Sequence, residues 1–169
     1  MQRQSIEAIV RALNAASVRY LIVGGLAVAA HGFVRFTADL DIVLDPESES
    51  LGRAVRALTG LGYTPRAPVP FSDFQSAEKR RSWVQDKGLT VFSLFSRQHP
   101  ATELDLFVEP PFDFDRAYAH SSRMEVAPGV AATFVGRADL IEMKRRAGRP
   151  QDLEDIAGLE ASDEHRQES

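Results

Sequence analysis

The stretch Gly24-Gly25-Leu26-Ala27-Val28-Ala29-Ala30-His31-Gly32, followed at once by Arg35-Phe36-Thr37-Ala38-Asp39-Leu40-Asp41, decides how the rest of the chain is read. Residues 19–23, just before it, form a short β-branched and aromatic run that predicts a strand ended by the glycine pair. Residues 26–31, just after the pair, are alanine-rich and suit a helix. Strand, glycine turn and helix in that order leave backbone N–H groups without intrahelical partners at Gly24 and Gly25. A phosphate group can approach the main chain closely there, which makes the turn a candidate cradle for a triphosphate. Residues 39–44 alternate with period two, so Asp39, Asp41 and Val43 share one face of a strand and Leu40, Ile42 and Leu44 the other.

Two aspartates on one sheet face are costly to bury unless they are paired or bind a cation. A divalent ion removes that cost, and Mg²⁺ in particular binds through one or two carboxylates together with substrate phosphates. A third acid, Asp105, lies in Glu103-Leu104-Asp105-Leu106-Phe107 with the same alternation, and could bring a second ion or act as a base. Two ions side by side can stabilise the attacking and departing oxygens of an in-line displacement. Arg35 and Thr37, shortly before the acidic pair, offer a cation and a hydroxyl to the same phosphates. Lys144 is a further candidate contact to phosphate or nucleobase, set against the ordinary fate of a lysine near a helix end, which is to be solvated. Glycosyltransferases also place an Asp-x-Asp after a strand, but that reading leaves the glycine turn and Asp105 without a role.

Outward from this block, Ile6, Ile9, Val10 and Leu13 recur at helical spacing within residues 5–16, with Ser5 as a candidate cap. A second helical pattern starts at Pro46, passes through Leu51, Val55 and Leu58, and is stopped by Gly60 and Gly62 before a proline-rich loop at residues 65–70. Residues 89–95 and 103–108 read as two strands that form an antiparallel hairpin or an adjacent pair, and residues 130–135 as another strand. Residues 138–146 and 152–159 read as helices on either side of a break at residues 148–150. His31 and the Asp113-Phe114-Asp115 repeat of the acidic spacing are assigned structural roles, as a helix-end histidine and a helix start. Trp83 and the phenylalanines at 92, 95 and 107 are assigned to the core. The mixture gives an α/β (α+β) domain with a mixed sheet flanked by helices, covering residues 1–160, and a polar, frayed tail at residues 161–169.

Composition fits this frame. The chain has 169 residues, 44% of them apolar, enough for one core. It has no cysteine, so any metal must be held by carboxylate, carbonyl or imidazole. Its net charge of -4 does not advertise polyanion binding as a whole, although Lys79, Arg80 and Arg81, and Lys144, Arg145, Arg146 and Arg149, form basic clusters expected on the solvated surface. No apolar run is long enough to span a membrane and the amino terminus does not read as a secretion signal, so the expectation is a cytoplasmic protein.

The glycine and Asp-x-Asp block resembles the signature of the DNA polymerase beta-like nucleotidyltransferase superfamily. More narrowly it is similar to the minimal bacterial branch that includes the AbiEii-type abortive-infection toxins. The run Lys144-Arg145-Arg146-Ala147-Gly148-Arg149-Pro150-Gln151-Asp152-Leu153-Glu154-Asp155 is similar to the carboxy-terminal lysine, arginine and aspartate motif of that branch. The resemblance implies that Asp39, Asp41 and Asp105 bind Mg²⁺ or Mn²⁺ and carry catalysis, and that Gly24 and Gly25 hold the triphosphate. It also implies that a nucleoside monophosphate passes to a hydroxyl on RNA, protein or a small molecule. A cognate antitoxin or toxin partner is the corresponding expectation, and a non-catalytic nucleotide-binding or interaction protein that keeps the fold is the alternative. Much of the wider superfamily has Gly-Ser at the turn, whereas Gly25 here supplies only backbone, as in the toxin-like branch.

Overall fold

A computed structural model describes residues 1–167, with side chains described through Ser162. The elements run α1 (Arg3–Ala15), β1 (Tyr20–Val23), α2 (Gly24–Ala30), β2 (Asp39–Leu44), α3 (Ser48–Gly60), β3 (Tyr63–Pro65), a 3-10 turn (Phe71–Gln75), α4 (Ala77–Lys87), β4 (Val91–Ser96), β5 (Glu103–Phe107), α5 (Phe114–Ala119), β6 (Ser122–Ala127), β7 (Val130–Phe134), α6 (Arg137–Ala147) and α7 (Pro150–Gln167). The strands form one mixed sheet in the order β3-β4-β5-β2-β1-β7-β6. β2 pairs antiparallel with β1 and parallel with β5, so the acidic strand lies at the centre.

The period-two pattern of β2 does what alternation requires. Leu40 and Ile42 are fully buried beside Leu104 and Leu106 of β5, while Asp39, Asp41 and Asp105 on the other face remain half-buried. The apolar face continues onto Phe92 of β4, which meets the rings of Phe71, Phe74 and Trp83 with centroids 5.1–6.1 Å apart. Offset and tilted ring contacts of this kind add to simple area burial. α1 supplies Ile6, Ile9, Val10 and Leu13 to the same core. Asp113 caps α5 by accepting from the Arg116 N–H, so the second acidic repeat is a helix start.

Several elements depart from the sequence expectation. α4 lies in a stretch with no apolar periodicity; it buries only Trp83 and Arg80, whose Nη1 donates to the Phe74 carbonyl at 2.6 Å. β3 occupies the start of the expected proline-rich loop and ends on Pro65 at the sheet edge, where a missing N–H costs no ladder bond. β6 is an edge strand that alternates between half-buried and exposed positions, which hides it from a hydrophobicity scan. α7 is longer than residues 152–159, and runs through most of the expected polar tail; Glu168 and Ser169 at the end of that tail lie outside the described residues. Of the four aromatics assigned to the core, Trp83 and Phe92 are buried, while Phe95 and Phe107 are only half-buried. Among the described residues no helix is long and apolar enough to cross a membrane.

Candidate active site

The register across the middle of the sheet builds the site. Val23, Asp41, Asp105 and Ser93 stand opposite one another in sequence across β1, β2, β5 and β4. Neighbouring strands lie about 4.8 Å apart, so the carboxylates of Asp41 and Asp105 project side by side from one face. Asp39, two residues back on β2, points the same way and is paired with Glu103. Gly24 follows Val23 directly and takes φ +64°, a left-handed conformation that an L side chain adopts only with strain. A Cβ on Gly24 would stand 2.0 Å from Asp41 Oδ2, so the aspartate packs against the bare glycine backbone at the start of α2. No side chain caps that helix start.

Gly25 is bare for a different reason. A Cβ there would lie 2.6 Å from Thr37 Cβ and 3.0 Å from Arg35 Nη1, so the turn is packed under the segment that leads into β2. That segment alternates: Phe33, Arg35, Thr37 and Asp39 are half-buried, while Val34, Phe36 and Ala38 are exposed. The Thr37 hydroxyl donates to the Asp39 carbonyl at 3.2 Å. Arg35 Nη2 donates to Asp155 Oδ2 at 3.1 Å, and its Nε lies 2.7 Å from Oδ1, an ion-pair contact too bent to be a hydrogen bond.

Lys144 is neither solvated nor free. It is 5% exposed, its Nζ donates to Asp152 Oδ1 at 3.2 Å and lies 2.6 Å from Asp155 Oδ2. Arg149 clasps Asp152 from its own turn, with Nε donating to Oδ2 at 2.7 Å. Burial works to raise the Asp152 carboxyl, but its bonds to Arg149 and Lys144 outweigh that and hold it below the usual range. The basic clusters expected on the surface are thus split, because Lys144 and Arg80 are interior. His31 is also interior, with Nε2 2.8 Å from the Val135 carbonyl, tying the end of α2 to the strand edge.

Electrostatics set the acidic row apart. Burial first, then the neighbouring Asp105 and Asp39, push the Asp41 carboxyl up to about 7. The same causes, burial followed by Asp105 and Glu103, raise Asp39. Ser93, which the sequence alone did not single out, donates its hydroxyl to Asp105 Oδ1 at 2.5 Å and engages one oxygen of that carboxylate. Its only sequence signal is its place in Val91-Phe92-Ser93-Leu94, a polar residue between two buried ones.

Asp39, Asp41 and Asp105 line one cavity of about 670 Å³ together with Gly24, Gly25, Arg35, Thr37 and Lys144. Its further walls are mixed: Phe36 from the loop before β2, Phe107 from β5 and Leu140 and Met143 from α6 are apolar, while Arg146, Arg149, Gln151 and Asp152 add charged and polar groups from the α6–α7 side. All eight residues singled out from sequence therefore meet at one place. They do not form a ready-made cage: among the described residues no three His, Cys, Asp or Glu side chains stand close enough together to hold an ion. The donor set still fits a hard divalent cation, because two adjacent carboxylates whose charges oppose each other are what Mg²⁺ uses when phosphates complete its shell.

The chain overlays on solved structures across nearly its whole length. A nucleotidyltransferase-like antigenic protein from Paracoccidioides brasiliensis matches with a TM-score of 0.57 at 14% identity, covering 93% of this chain and 74% of the other. The ANT(2")-Ia structure in complex with adenylyl-2"-tobramycin matches with a TM-score of 0.58 at 16% identity, covering 95% and 88%. The solution structure of the antibiotic-resistance factor ANT(2'')-Ia gives 0.56 at 14%, covering 95% and 85%. The chain has the nucleotidyltransferase fold. The sequence itself matches no protein-family model and no curated protein. A nucleotidyltransferase fold at this level of identity carries the architecture, while the chemistry rests on the residues of the site.

Proposed function

We propose that this chain is a nucleotidyltransferase that uses Mg²⁺ or Mn²⁺ to pass a nucleoside monophosphate from a nucleoside triphosphate to a hydroxyl acceptor. The observation that carries the proposal is the row of Asp41 and Asp105 in register on adjacent parallel strands, beside the bare left-handed backbone of Gly24. Asp41 and Asp105 are the residues that would hold the cation, with Asp39 beside them in the acidic row, and the cation when bound supplies positive charge to the phosphate oxygens. Gly24 and Gly25 present main-chain N–H groups at the start of α2 to the triphosphate. Asp105, steadied by Ser93, accepts the proton of the acceptor hydroxyl as its oxygen bonds to the α-phosphorus and pyrophosphate departs. Arg35 and Thr37 shape the turn from beneath, and Lys144 holds α7 against the cavity.

A small-molecule acceptor is supported by the neighbour solved with an adenylylated tobramycin. RNA or a protein side chain remains in the proposed acceptor class, and the Lys144 to Asp155 run supports placing the chain near the AbiEii-type branch with a toxin or antitoxin partner. The deciding experiment incubates purified protein with each labelled triphosphate, Mg²⁺ or Mn²⁺, and in turn RNA, cell lysate and aminoglycosides. Metal-dependent label transfer that disappears in Asp41→Asn and Asp105→Asn is expected; absence of product in every combination refutes the activity.

One observation favours a second reading, a non-catalytic nucleotide-binding or interaction protein. Arg35 and Lys144, two of the cations that line the cavity, are both committed to Asp155. Calorimetric binding of triphosphate with metal, without turnover and with a co-purifying partner, would select it.

A further inference from the structure

We propose that Phe36 is the residue on which the nucleobase of the triphosphate stacks, an inference that rests on the nucleotidyltransferase reading of the same cavity. Phe36 is 85% exposed, and it lines the cavity that also contains Gly24, Asp41 and Asp105. A large apolar ring left in water at the wall of a polar site is held there at a hydrophobic cost, and planar ligand rings are the group that recovers it.

Its placement is built rather than incidental. The segment alternates, so the residues on either side of Phe36 are turned inward and fixed. Arg35 is bonded to Asp155 of α7, and Thr37 to the Asp39 carbonyl. Arg35 Nη1 also donates to the Phe36 carbonyl at 2.9 Å, which pins the peptide of Phe36 itself. Further back, the Phe33 ring fills the space above Gly158, where a Cβ would stand only 2.3 Å from it. Inward anchors at 33, 35 and 37 leave Phe36 no route into the core. Val34, equally exposed at 83%, shares the outward side but is not among the residues that line the cavity, which makes it a matched control.

Position also favours the base over the acceptor. Phe36 sits in the same loop as Thr37 and Arg35, which pack on the glycine turn where the phosphates are proposed to lie. Ring and phosphate sites on one loop match a single molecule that carries both. Leu140 and Met143 of α6 also line the cavity, and this apolar surface stays available to the acceptor.

The test measures binding of ATP and of inorganic tripolyphosphate, each with Mg²⁺, by calorimetry to the wild type, Phe36→Ala, Phe36→Trp and Val34→Ala. Base stacking on an aromatic side chain is lost on truncation to alanine with a penalty that corresponds to about fivefold to a hundredfold in affinity. Phe36→Ala should therefore weaken ATP at least fivefold and leave tripolyphosphate unchanged. Phe36→Trp should retain ATP binding and show indole fluorescence quenched by ATP but not by tripolyphosphate, and Val34→Ala should match the wild type. The truncated side chain is solvent-exposed, so an unchanged melting temperature is expected and checks that the fold is intact. Equal ATP affinity in Phe36→Ala and wild type, or equal loss for both ligands, overturns the stacking role while leaving the transferase reading standing. A wild type that binds neither ligand overturns both.

Discussion

Asp41 is opposed from three sides, by burial, by Asp105 in the next strand and by Asp39 on its own. Its carboxyl titrates near 7 in the folded chain against an ordinary value near 4, so between those limits the folded state holds a proton that the unfolded state has released. Stability from this group is therefore lost as pH rises from about 4 to about 7, and the penalty is complete above that. Asp41→Asn, which removes the charge and keeps the shape, should stabilise the metal-free protein at pH 8 by up to about 4 kcal/mol and make little difference at pH 4. Urea unfolding in EDTA at the two pH values checks the sign, while nucleotide transfer by the same variant should vanish. Gly24→Ala is the complementary case. The left-handed backbone alone costs about 1–2 kcal/mol for an L residue. The added methyl must also displace Asp41, so both stability and metal-dependent triphosphate binding should fall, measured by denaturation and calorimetry.

Helices α6 and α7 are joined by a clasp of opposite charges, Lys144 with Asp152 and Asp155, extended by Arg149 and Arg35. Removing one member of such a buried set leaves charges uncompensated, which costs far more than the intact set contributes. Lys144→Met should cost about 3 kcal/mol in urea unfolding. Arg145→Ala, at an exposed pair on the same helix, should change stability by less than about 1 kcal/mol. The clasp also marks where the sequence stops being legible. The strand, glycine turn, helix and Asp-x-Asp could be read because each is a local pattern set by alternation or by a punctuating glycine. The central antiparallel pair could be read for the same reason. α4 and β6 could not, since Trp83 and Arg80 make no stripe and an edge strand has no wholly buried face. The pairing of Arg35 with Asp155 could not be read because the two lie 120 residues apart, and the burial of Lys144 could not be read because its partners sit on the next helix, past the break at Gly148. Ser93 was hidden by being an ordinary hydroxyl until the register set it against Asp105.

At the scale of the whole molecule, one cavity gathers residues from α2, β2, β5, α6 and α7, so a ligand bound there ties both halves of the chain to the folded state. A ligand at a hundred times its dissociation constant adds about 2.7 kcal/mol to stability. For a chain of this length that corresponds to a rise in melting temperature of about 5–10 °C. ATP with Mg²⁺ should produce such a rise by calorimetry, larger at pH 8 than at pH 5.5 because Asp41 is then free of its proton for the cation, and EDTA should abolish it.

Because β2 takes its parallel partner from the second half of the chain, the order of synthesis matters. A ribosome will have finished the glycine turn and Asp41 well before Asp105 emerges, and Asp155 follows later still. A nascent chain or fragment that stops before Asp105 therefore cannot assemble the acidic row, and the clasp on Lys144 waits for Asp155.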